Sequence, residues 1–148
     1  MTQLDFDEAA GQIISVLQKE KHIVLATSSG GKVTARTMSH VNHGLTVYFQ
    51  TGSASEKFGQ IKSNPNIAFA VNNLQIEAVG EICGHPSKTP VFIGLYKEKH
   101  PSSYEKYTDL EDEVLIKASI VKAIFYKYID GMPCREIVDV AGKKAYRE

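Results

Sequence analysis

The chain has 148 residues, 43% of them hydrophobic and 23% charged, and its 17 basic and 17 acidic side chains give a formal net charge of zero. That size suits one domain over residues 1–148 with a real hydrophobic core, and the charge balance excludes a protein built mainly to coat nucleic acid, which would carry a strong basic excess. No apolar run is long enough to span a membrane, the N-terminal MTQLDFDEAAGQ lacks a secretory pattern, and Cys83 and Cys134 form no CxxC motif, so a reduced cytoplasmic setting with free thiols is expected.

Asp5 to Lys19 reads as an amphipathic helix. Asp5 or Asp7 can cap it, and Ala9, Ala10, Ile13, Ile14, Val16 and Leu17 form its apolar face. The apolar run His22 to Ser28 is a buried strand. Ser28-Ser29-Gly30-Gly31-Lys32 turns the chain, because glycine tolerates positive φ. Val33 to Val41 is the paired strand, with Thr34, Arg36, Met38 and His40 on one face. Asn42-His43-Gly44 is another turn, and Leu45 to Gln50 a third strand, so that a meander is expected.

The stretch Leu45 to Val71 is the most informative. A strand breaks at Thr51-Gly52-Ser53-Ala54-Ser55, a helix follows from Glu56 to Ser63, and Asn64-Pro65 ends it. Hydroxyls, free backbone N–H groups and Lys57 gather at the helix start, where a partial positive charge suits a phosphate. Ser53 and Glu56 have the spacing of a capping box, so Ser53 is expected to cap the helix. The plain alternative is a helix cap with no ligand, which is the commoner use of such a loop.

Ile67 to Val71 and Gln75 to Ile82 are strands joined by Asn72-Asn73. Gly80 inside the second predicts a bend or a close backbone approach. Thr89-Pro90 opens a helix with Val91, Phe92, Leu95 and Tyr96 as its stripe. Ser102 to Tyr107 reads as a further helical turn, and Asp109 to Val114 as an exposed acidic segment. Ala118 to Ile129 is a long strand, Asp130-Gly131 a hairpin turn, and Cys134 to Val140 the closing strand. The tail AGKKAYRE is expected to fray. About seven strands in mostly hairpin order favour a closed or nearly closed antiparallel barrel.

The motifs then point to a family. Arg36-Thr37-Met38-Ser39 on one strand, Phe49-Gln50-Thr51, Ser55-x-Lys57, Gln60-Ile61, Asn64-Pro65, and Gln75 with Gly80 five residues on resemble, in order and spacing, the pyridoxamine 5′-phosphate oxidase-like FMN-binding split-barrel superfamily. The resemblance implies a mainly β fold, an antiparallel split β-barrel with flanking helices. It implies a homodimer with FMN at the subunit interface. The strand Arg36, Thr37, Met38, Ser39 would run along the flavin ring. Gln50, Thr51, Ser55 and Lys57 would line the cofactor site, with Thr51, Ser55, Lys57 and Arg36 at the phosphate, and Gln75 would come from the partner.

Departures from the true oxidases matter equally. Glu56 stands where they carry a second basic residue, Val41 where a lysine holds the substrate phosphate, and His100 where an arginine follows Tyr96. The arginine-and-histidine signature at the C-terminus is absent. The resemblance therefore implies an FMN-dependent oxidoreductase of a small-molecule substrate rather than an oxidase of pyridoxamine phosphate. Two other readings stay open: a non-enzymatic flavin or haem binder or sensor, and a cofactor-free relative of the fold. No catalytic acid or base stands out.

Plainer roles remain for several residues. Arg36 could be a solvated outer-face arginine and Met38 barrel core. His40 and His43, flanking a turn, are expected at the surface, with haem ligation as the minor option. Cys83 and His85 alone make no metal site, and no metal is expected. Glu77 and Glu81 read as an exposed acidic face, and Tyr104, Tyr107, Tyr126 and Tyr128 as packing or pocket residues.

Overall fold

A computed structural model describes residues 1–148. Strand β1 (Thr2–Leu4) leads into helix α1 (Phe6–Lys19), whose first turn is capped by Asp5 accepting from the Glu8 N–H at 2.9 Å. Strands β2 (His22–Ser29) and β3 (Lys32–Ser39) form a hairpin whose two turn residues, Gly30 and Gly31, have φ of 57° and 80°. Strands β4 (Val41–His43) and β5 (Thr46–Gly52) pair next, followed by helix α2 (Glu56–Ser63). Strands β6 (Asn66–Val71) and β7 (Leu74–Ile82) form the second long hairpin. Helix α3 (Pro90–Lys99) continues through helical turns at Pro101–Ser103 and Tyr104–Thr108. Strands β8 (Glu113–Ile129), β9 (Met132–Asp139) and β10 (Lys144–Arg147) complete the chain.

All ten strands belong to one antiparallel sheet with the path β1-β10-β9-β8-β7-β6-β2-β3, while β5 joins β4 to β8. The path ends on β1 at one side and β3 at the other, so the barrel is split, with helices flanking it. The expected mainly β, antiparallel split barrel is the observed fold. The meander is not observed: β3 is an edge strand, and β5 reaches across to β8, pairing Gly52 with Glu113 and Thr46 with Ser119. The 17-residue β8 is the spine, hydrogen-bonded in turn to β5, β7 and β9.

The tail does not fray. Its Ala145 is 2% exposed and packs into the core, and its Arg147 pairs with the buried Glu136, so β10 gains both a ladder and an anchor. The interior holds Ile13 and Leu17 of α1 against Leu25, Phe49, Ile76 and Ile116 of the sheet. Each such side chain contributes about 1.5–3 kcal/mol by leaving water. Gly80 makes a close approach: a Cβ there would meet Ile61 and Ile67 methyl groups at 3.4 Å.

The two faces of the sheet differ. The inner face is the core. The outer face carries Val24, Val79 and Val121 at about 40% exposure and Val33 at 71%. A cleft of about 390 Å³ crosses it, lined in part by Ala26, Ala68, Val79 and Val121. No helix covers this apolar face, and no helix of the chain is long and apolar enough to cross a membrane.

Candidate flavin and phosphate site

Helix α2 begins where the sequence places it, but Ser55 is the cap. Its hydroxyl accepts from the Phe58 N–H at 3.3 Å and lies 2.9 Å from the Thr51 hydroxyl, while Ser53 is exposed and caps nothing. The reason is local: the Ser55 backbone is extended (φ −72°, ψ 153°), and its own N–H closes a turn onto the Gly52 carbonyl. The N–H groups of Glu56 and Lys57 have no acceptor in the protein, so the helix start keeps two open donors. Lys57 is half-buried and takes part in no ion pair. Burial pushes its ammonium below the usual lysine value, neighbouring Arg36 adds to this, and Glu113 opposes it.

Arg36 is held from behind by a polar network. One terminal nitrogen donates to the Thr27 hydroxyl at 2.8 Å and the Leu25 carbonyl at 3.2 Å, the other to Thr34. Gln60 of α2 accepts from Thr27 at 2.6 Å and Thr34 at 2.8 Å, which ties the helix to the β2–β3 hairpin. Arg36 is thus neither a solvated outer residue nor a free side chain. Thr27, Thr34 and Gln60 position it, a role the sequence reading missed for all three. Inward alternation of Thr27 and Thr34 was the only available signal. Met38 shares the inward face of Arg36 and packs against the core, whereas Thr37 and Ser39 point to the other side.

Glu56 proves less disruptive than its sequence position implies. It is exposed and bonds Lys32 at 2.8 Å, and that hydrogen bond, with the charge of Lys32 behind it, lowers its carboxyl below the usual glutamate value. The negative charge is therefore met by a lysine from the β2–β3 turn.

Gln50 lies on the face of β5 away from the main core, under α3 and its extension. Its carbonyl oxygen accepts from Thr108 at 3.1 Å, but its amide nitrogen, in a residue only 6% exposed, has no partner. A buried donor without an acceptor costs roughly 1–3 kcal/mol, and an incoming carbonyl or phosphate oxygen would relieve it. Glu113, expected to be exposed, is 7% exposed on the same face, because it opens β8 opposite Gly52. Gln75 sits elsewhere, on the outer face near the far end of β7, where its side chain accepts from Tyr126 at 3.4 Å. Arg36, Thr51, Ser55 and Lys57 therefore gather around one helix start within a single chain, Gln50 lies on the other face of the strand that leads into it, and Gln75 does not join them.

A model of the pyridoxamine 5′-phosphate oxidase family matches residues 10–127. The chain belongs to that family. No curated protein sequence matches it. Among solved structures, general stress protein 26 from Bacillus anthracis is 19% identical, with a TM-score of 0.69 over 90% of this chain and 99% of that one. ChuZ from Campylobacter jejuni is 16% identical, with a TM-score of 0.76 over 97% of this chain and 63% of that one. An FAD-binding protein from Mesorhizobium loti is 10% identical, with a TM-score of 0.63 over 77% of this chain and 91% of that one. At these identities the likeness is one of fold.

Within this member of the pyridoxamine 5′-phosphate oxidase family, two positions that depart from the oxidases are already occupied. Val41 is 2% exposed in a small cluster with Tyr48, Phe92 and Tyr96. His100 is 6% exposed and donates through Nε2 to the His40 carbonyl at 2.8 Å. His40, expected at the surface, is fully buried: Nε2 donates to the Leu17 carbonyl at 2.8 Å, which Lys99 also caps at 2.9 Å, and Nδ1 has no partner. It is buried because β3 ends at Ser39 and the chain turns beneath α1 and α3.

Burial, with the nearby charge of Lys99, lowers His40 from 6.5 to about 4. The unfolded chain therefore takes up this proton first as pH falls. The stabilisation from keeping His40 neutral is complete above about pH 6.5 and is lost between there and about pH 4. A loss of about 3 kcal/mol is expected across that window. Urea unfolding at several pH values measures it, and His40→Asn, which cannot titrate, should flatten the profile.

Proposed function

We propose that this chain is a cytoplasmic, single-domain FMN-binding protein. In this reading it acts as a homodimeric flavin-dependent oxidoreductase on a small-molecule substrate other than pyridoxamine phosphate. The observation that carries the cofactor is the unpartnered buried amide of Gln50 near a helix start with two open N–H donors and the cations Lys57 and Arg36. Such a set suits a phosphate with an adjacent polar tail. Bound flavin would supply hydride or electron transfer, and the residues here would bind and orient it. The name of the FAD-binding relative from Mesorhizobium loti agrees with a flavin.

The uncovered apolar face supports the homodimer, because contiguous exposed apolar patches on a sheet usually mark an interface. It carries Gln75 and Thr37, so a second copy seated there would bring its own Gln75 towards a site that lacks it. Loss of the basic substrate positions, with Val41 and His100 engaged internally, supports a substrate other than the phosphorylated vitamer.

The test is direct. Protein purified without added cofactor should show a flavin absorption spectrum or, if colourless, should bind FMN in titration. A Soret band, or no binding of FMN at all, would sink this reading. Stopped-flow reduction by a nicotinamide then separates an enzyme from a carrier.

A further inference from the structure

Glu113 is the one acidic residue buried beside the proposed phosphate loop, and no hydrogen bond or close ion pair holds its carboxylate. It is 7% exposed, its carboxylate makes no hydrogen bond, and it belongs to none of the four ion pairs of the structure. Its position is fixed by register. Glu113 pairs with Gly52 and Leu115 with Gln50, so Glu113 and Gln50 are diagonal neighbours on the same face of the β5–β8 ladder. The loop that follows Gly52 is tied to the start of the same strand, since the Ser53 N–H donates to the Asp112 carbonyl at 2.9 Å. The ladder therefore holds the backbone of Glu113 beside the loop.

The charged and titratable groups around it are few. Lys57 faces it from α2, His85 from the turn after β7, and Asp112 stands beside it in the turn that precedes β8. Tyr96, on α3, is close enough to feel its charge, with Tyr107 and Ser39 nearby. Arg36 acts on Lys57 rather than on Glu113. Lys57 alone must thus answer both an ionised Glu113 and an incoming phosphate.

We propose that Glu113 sets the charge preference of this loop: a dianionic phosphate is accepted fully only when Glu113 takes up a proton from solvent, so FMN binding is proton-linked. This rests on the flavin reading above. Burial, with the charge of Asp112, already raises the Glu113 carboxyl above the usual glutamate value. A second negative charge brought near Lys57 raises it further. Between the free and bound values, FMN affinity falls by up to about tenfold per pH unit. Riboflavin, which lacks the phosphate, should show no such slope.

The experiment titrates flavin-free protein with FMN and with riboflavin between pH 5.5 and about 8.5, using wild type, Glu113→Gln and Glu113→Ala. FMN's own second ionisation, near pH 6, is common to all three proteins and cancels in the comparison. Both variants should bind FMN on the order of tenfold more tightly than wild type at the upper end of the range, with little difference at the lower end. Riboflavin affinity should change less than about twofold, which also certifies the fold. Unchanged or weaker FMN binding in both variants, or equal gains for riboflavin, would overturn the assignment while leaving flavin binding intact. A wild type that binds neither flavin overturns both.

Discussion

Lys57→Ala is expected to weaken FMN binding about a hundredfold and riboflavin binding less than threefold. The asymmetry follows from chemistry. Only FMN carries a phosphate, and a charge-assisted hydrogen bond in a half-buried setting is worth roughly 1.5–3 kcal/mol. Lys57 is suited to that task because its charge is unspent: no carboxylate lies within 4.0 Å of it, and burial already pushes its ammonium down. Arg36, by contrast, is anchored by Thr27, Thr34 and the Leu25 carbonyl and can offer only its remaining donors. Flavin fluorescence titration reads both affinities on one preparation. Equal losses for the two ligands would mean that Lys57 does not meet the phosphate.

A charge on the outer sheet face should act on assembly as well as on affinity. Val79 is 41% exposed and lines the cleft between β2, β6, β7 and β8. Val79→Asp removes little from the core, so the monomer should remain folded with a melting point close to wild type. At a two-fold interface the carboxylate would be desolvated once from each subunit, a cost of several kcal/mol per ion. The expected result is a monomer by light scattering and at least about a tenfold loss of FMN affinity, because Gln75 of a second copy no longer completes the site. A variant that stays dimeric, or a monomer that binds FMN as wild type does, would remove this face from the proposal.

Local chemistry was readable before the fold was known. The Asp5 cap, the Gly30-Gly31 turn, the bounds of α2 at Glu56–Ser63 and the Asp130-Gly131 hairpin all follow from residues next to one another. Features set by distant partners were not. Glu113 looked exposed because its neighbours are acidic, and only the β5–β8 pairing buries it. The tail looked loose because it carries no large aliphatic side chain, while Glu136, the partner of Arg147, could not be foreseen. Gln60 accepts from residues 26 and 33 positions away, and no local spacing announces that. His40 was expected at the surface beside a turn because the strand was carried two residues too far, to Val41, whereas β3 ends at Ser39. Within the site, the helix start and Lys57 were legible, whereas the identity of the cap, the buffer of Lys32 on Glu56 and the bare amide of Gln50 needed coordinates.

The spine strand has a consequence for how the protein is made. β5, paired at first only with β4, gains its second neighbour when β8 arrives, about sixty residues later in the chain, and β7, paired with β6, also waits for it. During synthesis, the first two-thirds of the polypeptide can close its two long hairpins but not the barrel. Two strand edges and the Phe49 side of the core stay open until Ile129 has left the ribosome. The nascent chain is therefore expected to be most vulnerable to aggregation late in translation, and stalled chains ending before Glu113 should require chaperone protection that the finished chain does not.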